Sequence, residues 1–342
     1  MNENQIHEII KDMPKVELHL HLEGAFTFEF LLSLIEKYGG DPSVKTIDDL
    51  KNKFVFTDFA HFIELWYWKN RFFRRPVDFE ESAYHTLKNL SEQNVIYSEV
   101  FFSPWDFASD NLSVEEITEA TIAGVKKAEA DFPIKCGLIA DIVRDYGSEN
   151  AVDRVKQMIP FRDSGVIGIG LGGSEQKYPP QAFAAAFQYA GKHGFHLTAH
   201  AGEAAGPESV RSAMDDLAAE RIGHGVRAIE DPALIEDLKQ KRIPLEICVN
   251  SNLKTKVYPS PTSHPVKKLY DRGLVVTINS DDPAMFGCTI TDEFLLLYDK
   301  IGFRLPSFKK LTENAIRSSF LPKSTKLLYL ERIHGYWENN YR

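Results

Sequence analysis

The sequence predicts an α/β protein, a closed (β/α)8 TIM barrel with extra helices inserted after strand one. Three observations carry this. Eight short apolar, β-branched runs recur along the chain, helix-like stretches fill most of the gaps, and unusual polar residues gather toward the C-terminal ends of the runs. Alternation of strand and helix implies parallel strands with crossover helices. Eight such units favour closure over an open doubly wound sheet. The 342 residues give ample length for a large core, and residues 1–342 are read as a single barrel domain.

The runs span residues 16–23, 95–102, 134–143, 166–173, 196–203, 221–225, 245–252 and 274–282. The gap between the first two is too long for one helix. It is expected to hold extra helices over the barrel mouth, among them "FVFTDFAHFIELWYW". Later gaps carry "QAFAAAFQYAGKHG", "ESVRSAMDDLAAE" and "DPALIEDLKQKRI", the last two opening on residues suited to helix starts. Beyond Pro283, "LTENAIRSSFL" has the pattern of an amphipathic helix closing the outer ring.

Composition narrows the class. Hydrophobic residues make up 43% and charged residues 26%, an ordinary globular balance, and the net charge of −9 argues against a nucleic-acid partner. Cys136, Cys248 and Cys288 are far apart and odd in number, which excludes a disulfide framework or a thiolate zinc site as the expectation. The start "MNENQIHEIIKDMPK" lacks the pattern of a signal peptide, and no apolar run approaches the ~18 residues of a membrane span. The expectation is a cytoplasmic protein that acts on a small molecule, with no membrane partner.

The chemistry lies at the ends of the runs. In "VELHLHLEG", His19 and His21 leave the same side of a strand, because residues i and i+2 share a face. A lone strand histidine is usually packed or hydrogen-bonded; two on one face, followed by Glu23 and Gly24, point to a metal site. A barrel gathers its strand ends at one face, so "HAGE" (His200 to Glu203), "GHG" around His224 and "NSDDP" with Asp281 and Asp282 can meet the pair. His19, His21, His200 and Asp281 form a nitrogen and oxygen set suited to zinc. Glu203, three residues beyond His200, can reach the open coordination position without binding the ion, as a general acid/base would. His224, between two glycines, is placed to hold the attacking hydroxide or to stabilise charge that develops on it.

Together "PKVELHLHLEGA", "HAGEAAGPESV", "ERIGHG", "CVNSNLKT" and "INSDDPAMFG" resemble the adenosine deaminase family of the amidohydrolase superfamily. The resemblance runs from about Pro14 to the last helix. It implies a zinc-dependent barrel, with one Zn2+ per chain, that hydrolyses the exocyclic amine of a 6-aminopurine. By position, it makes His19, His21, His200 and Asp281 the zinc ligands. Glu203 becomes the proton-transfer residue, and His224 the histidine that orients the attacking hydroxide. Asp282 matches the partner of purine N7, and Gly173 the backbone donor to N3. Ser251 and Asn252 fall in a motif read as support for the ligand shell. Two departures stand out. Glu23 replaces the aspartate usual near the ribose 5′-hydroxyl, a feature more familiar from the adenine deaminase branch, and Gly170 replaces the aspartate of "GxDLAG". "GPESV", "SNLKT" and "DDPAMFG" look closer to the nucleoside branch, so adenosine, deaminated to inosine, is the nominal substrate. Adenine and 6-amino-6-deoxyfutalosine are the alternatives, the latter if Lys69, Arg71, Arg74 or Arg75 faces the pocket. Another hydrolase on the same barrel, or a silent binding protein, is the remoter reading.

Overall fold

The computed structural model describes residues 1–55 and 59–341. One eight-stranded sheet runs in sequence order: β1 (Lys15–His21), β2 (Val95–Phe102), β3 (Lys135–Val143), β4 (Val166–Gly172), β5 (His196–Ala201), β6 (Arg221–His224), β7 (Leu245–Ile247) and β8 (Val276–Ile278). Every neighbouring pair in that order is parallel. The sheet closes where β8 runs on to meet β1. The Asp281 N–H donates to the His19 carbonyl at 3.1 Å, and the His21 N–H donates to the Asp281 carbonyl at 2.9 Å. The predicted (β/α)8 barrel is therefore the fold.

The outer helices follow the strands in turn: Pro76–Glu92, Val114–Asp131, Ala151–Met158, Ala184–Lys192, Pro207–Asp215, Pro232–Lys241, Val266–Asp271 and Leu305–Ser318. Their starts reflect local chemistry. The Asp231 carboxylate accepts the N–H groups of Ala233 and Leu234 ahead of Pro232–Lys241, and Ser113 forms a capping box with Glu116 ahead of Val114–Asp131. No helix among the described residues is long and apolar enough to cross a membrane.

The insertion after β1 holds the helices Phe28–Lys37, Ile47–Lys53 and Phe59–Asn70. They build a second, aromatic-rich core from Phe26, Phe30, Phe54, Phe62, Phe72 and Phe73 that reaches Met285 and Phe286 beyond β8. The Phe62 and Phe286 rings stack at 5.6 Å, which ties the insertion to the β8 side of the mouth. Part of the expected "FVFTDFAHFIELWYW" helix, residues 56–58, lies outside the described residues.

Several strands stop before the runs expected from sequence. β5 ends at Ala201 rather than 203, β6 at His224 rather than 225, and β8 covers only Val276–Ile278 of residues 274–282. The reason is conformational. Gly202 and Gly225, the residues that follow β5 and β6, take positive φ values of 69° and 65°, which turn the chain out of the strands there. In the seventh run only Leu245–Ile247 is strand; Val249–Lys254 is a helix whose Val249 and Asn250 N–H groups are accepted by the buried Glu293 carboxylate.

Candidate active site

The C-terminal ends of β1, β5, β6 and β8 bring the predicted residues to one point. One ligand atom each from His19, His21, His200 and Asp281 lies within 4.8 Å of the others. The Nε2 atoms of His21 and His200 face each other at 3.1 Å, and Asp281 Oδ1 stands 3.4 and 3.5 Å from the Nε2 atoms of His21 and His19. His19 Nε2 is buried with no hydrogen-bond partner. Its other nitrogen, Nδ1, meets Glu246 Oε2 at 2.8 Å, and His200 Nδ1 meets the Leu171 carbonyl at 3.0 Å. Acceptors on the outer nitrogens leave the Nε2 lone pairs turned inward, as metal-binding imidazoles require.

The electrostatics agree. Burial lowers His21 to about 3 and His200 well below its usual value, so both are neutral imidazoles with free lone pairs. At His19 burial acts to lower the pKa, but the carboxylates of Asp281, 3.5 Å from Nε2, and of Glu246, bonded to Nδ1, prevail and push it up to about 10. The cluster therefore draws positive charge to its centre. Its donors and field fit a borderline divalent ion such as zinc.

Glu203 and His224 flank this cluster. His224 Nε2 stands 3.6 Å from Glu203 Oε2 and 3.7 Å from Asp281 Oδ2. Burial, then the charges of Asp281 and Glu175, push Glu203 up to about 8, although 23% of its side chain remains open. Burial lowers His224 to about 4. Asn252 connects the two, its amide nitrogen lying 3.1 Å from His224 Nδ1 and 3.4 Å from Glu203 Oε1.

Asp282 passes directly over Gly24: a Cβ there would lie 1.8 Å from Asp282 Oδ1, so the glycine that follows Glu23 is a steric requirement. Asp282 Oδ1 is buried without a partner, and burial beside Asp281 holds its carboxyl well above the usual range. Glu23 accepts the Ser103 N–H through Oε1 at 2.7 Å, while Oε2 is buried and unpartnered. Gly173, just past the end of β4, is exposed and has φ +91°. Of the basic cluster in the insertion, Lys69 is fully buried, with Nζ 2.8 Å from Asn70 Oδ1 and 3.7 Å from the Trp66 ring centre. Arg71, Arg74 and Arg75 are exposed.

Sequence reasoning missed the supports behind these groups. Arg221, buried in β6, donates from Nε to Glu246 Oε1 at 2.5 Å and pairs through Nη1 with Glu99, so a buried ion chain backs His19. Glu175 accepts N–H groups from Gly202, Glu203, Ala204 and Ala205, which fixes the loop carrying Glu203. The signal for Glu246 and Arg221 was present as a charged residue inside an apolar run; Glu175 stood in "GLGGSE" with no visible partner.

The chain is similar to known proteins along nearly its whole length. The chain is 33% identical over 330 residues to an adenine deaminase of Cupriavidus taiwanensis, covering 96% of this chain and 94% of that one. The crystal structure of an adenine deaminase from Arthrobacter aurescens superposes with a TM-score of 0.91 at 30% identity, covering 95% of this chain and 99% of that one. An amidohydrolase from Burkholderia ambifaria with bound Zn gives the same TM-score at 25% identity, covering 99% and 94%. The adenosine deaminase family profile matches residues 14–336, and the chain belongs to that family.

Proposed function

We propose that the protein is a zinc-dependent aminopurine deaminase whose substrate is free adenine, converted with water to hypoxanthine and ammonia. The observation that carries the substrate choice is Glu23. Its buried, unpartnered Oε2 offers a hydrogen-bond acceptor where a nucleoside would carry its sugar. Glu23 and Asp106 act electrostatically on Asp141, and Glu23 on Asp282, with Lys69 and Arg144 among the cations opposing them. These buried polar groups suit a neutral base with N–H groups to donate. The adenine deaminase relatives support the same choice over adenosine.

His19, His21, His200 and Asp281 would hold one zinc per chain. When bound, the ion supplies Lewis acidity that brings the pKa of a water toward ~7. The chain's own residues do the rest. Neutral His224 positions the attacking water against the purine face. Glu203, protonated through burial, gives its proton to N1 as attack at C6 breaks the ring's aromaticity. Asp282, also protonated, donates to N7. Glu203, left as a carboxylate, takes the proton that the attacking water releases and passes it to the exocyclic amine. The amine leaves as ammonia while the C6 hydroxyl proton returns to Glu203.

Initial-rate measurements on adenine, adenosine and 6-amino-6-deoxyfutalosine test the substrate. Adenine is expected to lead in kcat/KM by ~10²-fold or more, because a site built to pair a substrate N–H discriminates strongly against analogues that lack it. A lead for either nucleoside would overturn the choice. Glu246→Gln tests the support behind His19. Zinc affinity is expected to fall ~10–100-fold, with activity restored by excess zinc. Unchanged affinity in a competitive chelator titration would exclude that role.

A further inference from the structure

Toward its C-terminal end the interior face of β4 is lined by glycine. Gly168, Gly170 and Gly172 stand at two-residue spacing and so share one face of the strand. That face is the barrel interior, since a Cβ on Gly170 would lie 2.8 Å from the Phe101 ring, which stands 4.8 and 5.0 Å from the rings of His19 and His21. Asp141, opposite Gly170 on β3, fills the space. A Cβ on Gly170 would lie 2.5 Å from its Oδ1, and one on Gly172 would lie 2.4 Å from its Oδ2. Asp141 is 3% exposed, and its Oδ1 is buried with no hydrogen-bond partner. A native fold that keeps a buried carboxyl oxygen unpaired calls for an explanation, and a missing ligand is one.

Position around the barrel identifies the part of the ligand. Asp282 lies just beyond β8, Glu23 beyond β1, Gly173 beyond β4 and Glu203 beyond β5, while Asp141 sits on β3. With N7 at Asp282 and N1 at Glu203, the purine perimeter runs N7, N9, N3, N1 in the same sense. The N9 and N3 edge then falls to Glu23 and Asp141.

We propose that Asp141 is a specificity-determining residue that binds the N3–N9 edge of the free base beside Glu23 and occupies the room a sugar on N9 would need. The inference rests on the adenine reading above. Burial, with Glu23 adding to it, pushes Asp141 up to about 8, so its carboxyl offers an O–H donor and an acceptor oxygen together. That pair complements acceptor N3 next to donor N9–H. A substituent on N9 removes the donor and collides with the carboxyl.

The test compares wild type, D141A and D141N on adenine, 9-methyladenine and adenosine, with metal content measured for each. D141A is expected to raise the adenosine-to-adenine ratio of kcat/KM by about tenfold or more, through the KM for adenine, with metal content unchanged. Its discrimination against 9-methyladenine falls in step. D141N keeps a donor and an acceptor and is expected to move the ratio by less than about threefold. If D141A does not accumulate as folded protein, D141S takes its place under the same criteria. A wild type that prefers adenosine overturns both the adenine reading and this inference. A wild type that prefers adenine, with a D141A ratio unchanged or both substrates lowered equally, overturns the role of Asp141 alone.

Discussion

Glu203→Gln is expected to lower turnover ~10²–10⁴-fold while the metal content stays that of the parent. The side chain stands beside the ligand cluster rather than within it, 3.6 Å from His224, and an amide of the same shape keeps the contact to Asn252. What the amide loses is a transferable proton. The carboxyl is held protonated near neutrality because burial, Asp281 and Glu175 all oppose its ionisation. Glutamine can donate a hydrogen bond to N1 but cannot protonate it, so the charge developed on attack stays unneutralised. Substrate binding is expected to survive, placing the loss in kcat. Turnover within a few-fold of the parent would take Glu203 out of the proton pathway.

Removal of the metal, by chelation or by His200→Ala, is expected to be at least as damaging, on the order of 10³-fold or more, because several kcal/mol of charge stabilisation leaves with the ion. The imidazole of His200 is oriented from two sides. Its Nδ1 meets the Leu171 carbonyl, and its own carbonyl is held by the buried Arg144 guanidinium. Chelated wild type is expected to recover on addition of zinc, whereas His200→Ala is not. Metal analysis by plasma mass spectrometry, paired with ammonia release, reads both. A His200→Ala variant with full metal and full activity would place the ion elsewhere.

The barrel was legible because its strands are buried on both faces and so appear as continuous apolar runs, broken only where chemistry interrupts them. His19 and His21 announced themselves for that reason, as did the "HAGE" and "NSDDP" endings. The same property hid the supports. In a strand apolar on both faces, nothing in the pattern separates an inward Glu246 or Asp141 from an outward neighbour. Their partners also come from remote segments, Arg221 being 25 and 122 residues from Glu246 and Glu99. Gly170 shows the limit sharply. As a departure from "GxDLAG" it looked like a lost carboxyl, while the carboxyl in that space comes from β3. Strand ends were overrun because Gly202 and Gly225, which turn the chain with positive φ, sit within the same short motifs as the site residues.

The barrel's seam has a consequence for how the chain is made. β8 is three residues long, and its union with β1 depends on residues 279–281 just beyond it. Asn279 accepts the Leu18 N–H from 261 residues away, Ser280 bonds Glu17, and Asp281 bridges to His19 and His21. On the ribosome, β1 emerges first and keeps an unpaired edge until Asp281 has been synthesised. A nascent chain carries that apolar strand exposed for most of its elongation, the condition under which intermediates aggregate or engage chaperones. The residue that completes the seam is also one of the four around the ion site, so capture of a cation there and closure of the barrel both wait for Asp281 to be made.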